Sequence, residues 1–155
     1  MKQKGFTLIE LMIVISITAL LGVLAMAGYS NYNKSQVLQT SVNDVVSMLN
    51  LAKSRAQSQI KPPQCTDVLN GYRVKISEAS SEYALYVSCG ANDDHKIVEE
   101  DKSLPLGLSF SNDSSFFFPV QTGRVQASNS WQIVISGSGI TKIITINTLG
   151  VINQP

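Results

Sequence analysis

The feature that most constrains the fold of this chain is the apolar stretch at residues 6–27, which contains a single charged residue, Glu10. As a helix it would be about 33 Å long, which matches the hydrocarbon core of a bilayer at roughly 30 Å. Lys2 and Lys4 precede the stretch, so the positive-inside rule places the N-terminus in the cytoplasm and residues 28–155 outside. We therefore expect a single transmembrane helix over residues 6–27.

A secretory signal peptide is the alternative interpretation of the same stretch. Ala25, Met26 and Ala27 have the small-x-small form of a signal-peptidase site. Cleavage there would release a secreted soluble domain that begins at Gly28. Glu10 argues against this reading, because a carboxylate is costly in an apolar segment and an export signal has no use for one.

The charge balance and the catalytic side chains exclude several classes of function. Lys and Arg number 12 against 11 Asp and Glu, without the basic excess of a nucleic-acid-binding protein. From Pro105 onward the only basic residues are Arg124 and Lys142, which can supply at most a weak contact with DNA phosphates, so a nucleic acid partner is not expected. The chain has a single histidine, His95, no Ser/His/Asp set and no glycine-rich loop that could hold a phosphate, so we expect no enzymatic activity and no cofactor.

Residues 28–61 continue the helix in amphipathic form. Pro62 and Pro63 end the helical pattern, and we expect its apolar face to pack against the protein's own β-sheet rather than only against other subunits. The apolar residues recur at spacings of three, four and seven, which is typical of one buried helical face: Leu38, Val42, Val45, Leu49, Ala52 and Ala56.

Residues 62–155 predict a globular β-rich head. Alternating apolar and polar residues separated by short turns indicate antiparallel strands, so the chain belongs to the α+β class, with one long helix followed by a sheet. The strands are predicted at residues 72–76, 82–87, 106–110, 115–118, 131–136, 140–146 and 150–152.

Cys65 and Cys89, the two cysteines of the chain, both lie in the part that we expect outside the membrane. An even number of cysteines in an oxidising compartment predicts a disulfide, here between the segment after the helix and the end of the second strand. A redox-active pair would need the closer Cys-x-x-Cys spacing, which is absent.

The segment at residues 4–11, Lys-Gly-Phe-Thr-Leu-Ile-Glu-Leu, resembles the leader junction of type IV prepilins and type II secretion pseudopilins. The resemblance implies that residues 1–5 are a leader peptide, that prepilin peptidase cuts between Gly5 and Phe6, and that Phe6 becomes N-methylated. Glu10 then takes the acidic position of the family, with a role in assembly. It can pair with the Phe6 amine of a neighbouring subunit or complement the dipole of its own helix, and the sequence leaves both roles open.

The same resemblance implies a type IV pilin-like fold and a structural function. The chain would be a minor pilin or pseudopilin, a subunit of a type IV pilus or type II secretion filament. It would wait in the bacterial inner membrane, in contact with lipid, before the inner-membrane assembly machinery adds it to other pilin or pseudopilin subunits. Family members often have a proline where Ala27 stands, so a kink in the helix is left open.

The head carries a narrower resemblance, to minor pilins of the GspH/FimT type, in Phe118-Pro119, Gly123-Arg124 and residues 149–151. It supports an alternative function, a filament-borne module that captures DNA or a surface. Some pseudopilins also bind calcium through acidic head loops. The acidic residues at 92–95 and 99–101 lack a regular ligand spacing, so we expect a solvated loop and no metal site.

Overall fold

The chain divides into two compact units, residues 1–36 and 37–155. The structure, a computed structural model, describes residues 7–91 and 93–154, apart from the side chains of residues 24–28, 93, 98 and 99. One helix, α1 (Leu8–Gln57), contributes residues to both units. No helix within these described ranges combines the length and the hydropathy needed to cross a membrane.

The second unit combines the C-terminal part of α1 with two antiparallel sheets, which confirms the predicted α+β class. The five-stranded sheet has the order β3-β2-β1-β5-β6, and the four-stranded sheet has the order β4-β7-β8-β9. The strands are β1 (Leu69–Ser77), β2 (Glu82–Cys89), β3 (Asp93–Ser103), β4 (Leu108–Phe110), β5 (Ser114–Pro119), β6 (Gln126–Ser128), β7 (Gln132–Gly137), β8 (Ile140–Ile146) and β9 (Ile152–Asn153).

The apolar face of α1 forms the centre of the head core. Its six predicted residues, from Leu38 to Ala56, are all buried, and Met48 joins them between Val45 and Leu49. They belong to one continuous cluster with side chains from both sheets, so the predicted packing against the protein's own sheet is confirmed. Burial of such a face stabilises the folded state by roughly 25 cal/mol for each Å² of apolar surface withdrawn from water.

Alternation along the strands explains how each sheet covers the helix. In β1, Tyr72, Val74 and Ile76 are buried, whereas Arg73 and Lys75 between them point to the opposite face. In the four-stranded sheet, Ile133 of β7 lies opposite Ile144 of β8, and both are buried. Each sheet therefore gives one apolar face to the core and a more polar face to the outside.

Strand β3 and strand β6 were not expected from the sequence. The acidic region at residues 92–101, predicted to be a solvated loop, is mostly strand: β3 begins at Asp93, and Asn92 lies outside the described residues. Strand β3 lies at the edge of its sheet, where charged side chains on an otherwise open strand discourage pairing with other chains. The solvated-loop prediction was wrong because charge marks a protected sheet edge as well as a loop.

Replacing a core leucine of α1 should destabilise the head strongly. Leu49 is 0% exposed, whereas Leu106, between β3 and β4, is fully exposed. We expect Leu49→Ala to lower the free energy of unfolding by about 2–5 kcal/mol. The matched change Leu106→Ala should stay within about 0.5 kcal/mol of the parent protein. Urea unfolding of the full chain in mild detergent, followed by the fluorescence of Trp131, measures both; equal losses would contradict the assigned core.

The head should lose stability at alkaline pH through Tyr83. Burial raises the pKa of Tyr83 to about 12, and the carboxylate of Asp44 adds to the shift. The folded chain therefore keeps this proton between about pH 10 and 12, whereas the unfolded chain loses it, so the stabilisation present below pH 10 disappears as the pH rises.

Tyr83→Phe should shift the alkaline unfolding midpoint to higher pH, because the ring can keep its edge-to-face contact with Phe110 while the ionising hydroxyl is gone. Circular dichroism during a base titration measures the midpoint. Tyr29→Phe, in the exposed part of α1, is the matched control. An unchanged midpoint in Tyr83→Phe would refute the assignment.

Candidate assembly site

The first turn of α1 is closed by a reciprocal pair of hydrogen bonds between Thr7 and Glu10. The Glu10 backbone N–H donates to Thr7 Oγ1 at 3.3 Å, and the Thr7 backbone N–H donates to Glu10 Oε2 at 3.5 Å. This is a capping box, in which residues three apart satisfy two of the backbone donors that every helix start leaves unpaired. The Thr-x-x-Glu spacing is the sequence signal for this contact, which is additional to the two roles expected of Glu10, subunit pairing and complementing the helix dipole.

The capping box determines where the Glu10 carboxylate lies. The carboxylate is exposed at the start of α1 and accepts a hydrogen bond from the backbone N–H of Thr7. Gly5 and Phe6, the predicted cleavage and methylation residues, lie outside the described residues. The structure therefore shows the position of Glu10, whereas the roles of Gly5 in cleavage and of Phe6 in methylation stay predictions.

The following turns of α1 expose large apolar side chains on all sides. None of the described residues from Leu8 to Val23 is buried. The polar side chains among them are largely satisfied within the helix: the hydroxyl of Ser16 donates to the carbonyl oxygen of Met12 at 2.8 Å, and that of Thr18 to Val14 at 2.9 Å. The exposed large apolar residues are Leu8, Ile9, Leu11, Met12, Ile13, Val14, Ile15, Ile17, Leu20, Leu21 and Val23.

Such a surface is suited to an apolar environment on every side. A helix that is hydrophobic all round is found buried in protein or in lipid, whereas a helix lying on a core has one apolar stripe. The contrast lies within α1 itself, because the second unit begins at Val37, where the one-sided pattern starts. An arrangement of this kind can support packing between helices.

In the head, Cys65 and Cys89 form the predicted disulfide, and both are buried. The bond ties the segment that follows α1 to the end of β2. Beside it, the Gly90 backbone N–H donates to the carbonyl oxygen of Val68 at 2.9 Å. The disulfide therefore joins the connection after the helix to the five-stranded sheet.

The acidic side chains of β3 that the structure describes, Asp94, Glu100 and Asp101, are engaged in ion pairs. Asp94 Oδ2 lies 3.1 Å from Arg73 Nε and 2.9 Å from Lys75 Nζ. Lys96 pairs with Asp101, whose hydrogen bond raises the pKa of Lys96. No group of three or more side chains that could hold a metal ion occurs among the described residues.

A further ion pair connects β3 with the last turn of α1. Arg55 Nη2 lies 3.1 Å from Glu100 Oε1, and both side chains are partly buried. Because Arg55 comes from the helix and Glu100 from the edge strand, this ion pair joins the end of α1 to β3.

The two candidate DNA-contacting residues lie on different elements. Arg124 is exposed between β5 and β6, next to the five-stranded sheet, whereas Lys142 is half-buried in β8 of the four-stranded sheet. Lys142 lies opposite Ile135 in the β7–β8 register. Nothing in the geometry of the described residues assembles them into a shared basic site, and the weak DNA contact stays a prediction.

The N-terminal segment of the chain matches a known family. The family model described as the prokaryotic N-terminal methylation motif matches residues 1–26. The type IV major fimbrial protein FimA of Dichelobacter nodosus is 39% identical over 84 residues, which cover 54% of this chain and 50% of that protein. The chain carries the type IV prepilin motif and is homologous to type IV fimbrial proteins.

A second relative supports the same homology over a shorter stretch. A fimbrial protein of Pseudomonas aeruginosa is 43% identical over 58 residues, which are 37% of this chain and 35% of that protein. The chain thus spans about half the length of its fimbrial relatives or less. No solved structure matches the chain.

The fold agrees with the homology. A long N-terminal helix followed by an antiparallel β-sheet head is the arrangement of type IV pilins. The predicted likeness of the head to GspH/FimT-type minor pilins is not confirmed by these matches and stays a prediction.

Proposed function

We propose that the chain is a structural subunit of a type IV pilus or a related secretion filament, assembled through the N-terminal part of α1. The observation that carries the proposal is the apolar surface from Leu8 to Val23, which is exposed on all sides and lies within the segment that matches the methylation motif, residues 1–26. In a filament, neighbouring helices would cover this surface. The relatives are fimbrial proteins, which supports a structural role rather than an enzymatic one.

Before assembly, the same surface would hold the subunit in the bacterial inner membrane through residues 6–27, with the N-terminus in the cytoplasm and the head outside. Prepilin peptidase would remove residues 1–5 and leave a methylated, positively charged amine on Phe6. Transfer from lipid to a helix bundle exchanges one apolar environment for another, so the inner-membrane assembly machinery need not expose the helix to water. The buried disulfide suits a head that folds in an oxidising compartment.

The Glu10 carboxylate would select the axial position of each subunit. Inside an apolar bundle an unpaired carboxylate is costly, and the methylated amine of a neighbouring Phe6 would compensate it. The capping box offers the same carboxylate a partner within its own chain, the Thr7 backbone N–H at 3.5 Å. The Thr7 backbone N–H and the Phe6 amine of a neighbouring subunit would thus compete for one carboxylate, and assembly would favour the charged amine.

The N-terminus of the protein from its own membranes tests the processing step. We expect the intact mass and the N-terminal peptide to show a chain that starts at Phe6 and carries one added methyl group. Expression without prepilin peptidase is the control and should give the uncut chain. A mature chain starting at Gly28 would overturn the proposal in favour of a secreted domain, and an uncut chain in the presence of the peptidase would overturn the processing step.

Removing the charge of Glu10 tests assembly. Glu10→Gln keeps the size of the side chain but cannot form an ion pair with the Phe6 amine. We expect the amount of subunit in sheared surface filaments to fall at least about tenfold, equivalent to about 1.4 kcal/mol, while cleavage after Gly5 continues. Quantitative immunoblots of the filament and membrane fractions measure this loss.

Glu78→Gln is the matched control, because the same chemical change then falls on an exposed position between β1 and β2. It should leave incorporation unchanged. Wild-type incorporation of Glu10→Gln would refute a role of this carboxylate in assembly, whatever the N-terminus of the chain.

A further inference from the structure

Two loops, one from each sheet of the head, meet beside the last turns of α1. The loop at residues 120–125 joins β5 to β6, and the loop at residues 147–151 joins β8 to β9. The backbone N–H of Val125 donates to the carbonyl oxygen of Thr148 at 3.2 Å, which connects the two loops directly. We call the contact between these two loops the seam. In it, a backbone donor from one loop finds its hydrogen-bond acceptor in the other loop.

A glycine lies on each side of the contact between the two loops. Gly123 and Gly150 are buried and have φ angles of 61° and 73°, which side-chain-bearing residues rarely adopt. A Cβ atom on Gly150 would lie 2.3 Å from the carbonyl oxygen of Gly123, so the backbones approach too closely for any side chain. These are two of the residues on which the GspH/FimT resemblance rested.

A lysine from the helix reaches into the seam. Lys53 Nζ donates to the carbonyl oxygen of Gly150 at 2.8 Å, across a sequence separation of 97 residues. One turn later, the carbonyl oxygen of Ala56 accepts the backbone N–H of Gln121 at 3.3 Å. The last turns of α1 therefore bind a backbone group from each loop.

Hydrogen bonds within the second loop close it into a turn. Asn147 Oδ1 accepts the backbone N–H groups of Leu149 and Val151 at 3.0 and 2.9 Å. The Gly150 N–H donates to the Asn147 carbonyl oxygen at 2.9 Å. The loop displays two aliphatic side chains to solvent, Leu149 at 64% and Val151 at 46% exposure.

We infer that Lys53 is the positioning residue that fixes the loop at residues 147–151, and with it the edge of the four-stranded sheet, to the helix end. Among the described residues, its ammonium group is the one hydrogen-bond donor to the Gly150 oxygen. A buried carbonyl left without a donor is costly, so loss of the ammonium should open the loop locally rather than unfold the head. No part of this role depends on the chain forming filaments.

Hydrogen exchange of the full chain in mild detergent tests the inference. In Lys53→Ala we expect amide exchange over residues 147–151 to accelerate at least about tenfold, with β1 and β2 unchanged. Lys34→Ala, an exposed position of the same helix, removes the same charge and should leave exchange unchanged. Exchange in residues 147–151 that stays at the parent rate in Lys53→Ala would overturn the inference, and so would equal acceleration in every strand.

Chemical rescue distinguishes the hydrogen bond from charge or packing. The alanine variant lacks the three outer carbons and the ammonium group of the lysine, which is the structure of n-propylammonium. Added n-propylammonium should restore slow exchange in the loop, whereas tetramethylammonium, which has no N–H, should not. Equal rescue by both ions, or rescue by neither, would refute the hydrogen-bonding role.

Discussion

The head depends on one buried helical face. Leu38, Val42, Val45 and Leu49 are all at or below 1% exposure, and they contact a core to which both sheets contribute. Each sheet has only one apolar face, and neither could bury that face without the helix. The C-terminal part of α1 is therefore the element that makes one domain out of two short sheets.

Polar contacts around this core determine how the sheets are held, although the apolar contacts supply most of the free energy. Arg55 pairs with Glu100 on β3, at the far edge of the five-stranded sheet, and Lys53 reaches the β8–β9 loop next to the four-stranded sheet. The disulfide holds the connection that leaves the helix. Directional bonds of this kind add specificity that burial alone lacks, because the hydrophobic effect is not directional.

The observed role of α1 in the head core and its proposed role in assembly both follow from where its apolar residues lie. From Val37 onward the helix has one apolar stripe, and the head covers it. Among the described residues from Leu8 to Val23 the apolar side chains lie all round the helix and are exposed. A helix can belong to a folded domain and also supply an assembly surface only if these two patterns are separated along its length.

Much of this could be predicted from the sequence, because the deciding signals are local. The 3.6-residue period predicts the buried face of α1, and alternation predicts most of β1, β2, β5, β7 and β8. Strand β3 could not be found in this way, because its charged residues do not alternate with apolar ones. What identifies β3 as a strand is its antiparallel pairing with β2, which is a tertiary contact.

The sequence by itself determined the long helix, its change from an all-round apolar surface to a single stripe, the α+β class and the prepilin motif at residues 4–11. These properties depend on residues close together in the chain, for which spacing is sufficient information. Only the tertiary structure decided that Lys53 meets Gly150, that Arg55 meets Glu100, and that the acidic segment is an edge strand. Such contacts depend on backbone geometry brought together by folding, and no local pattern of residues specifies them.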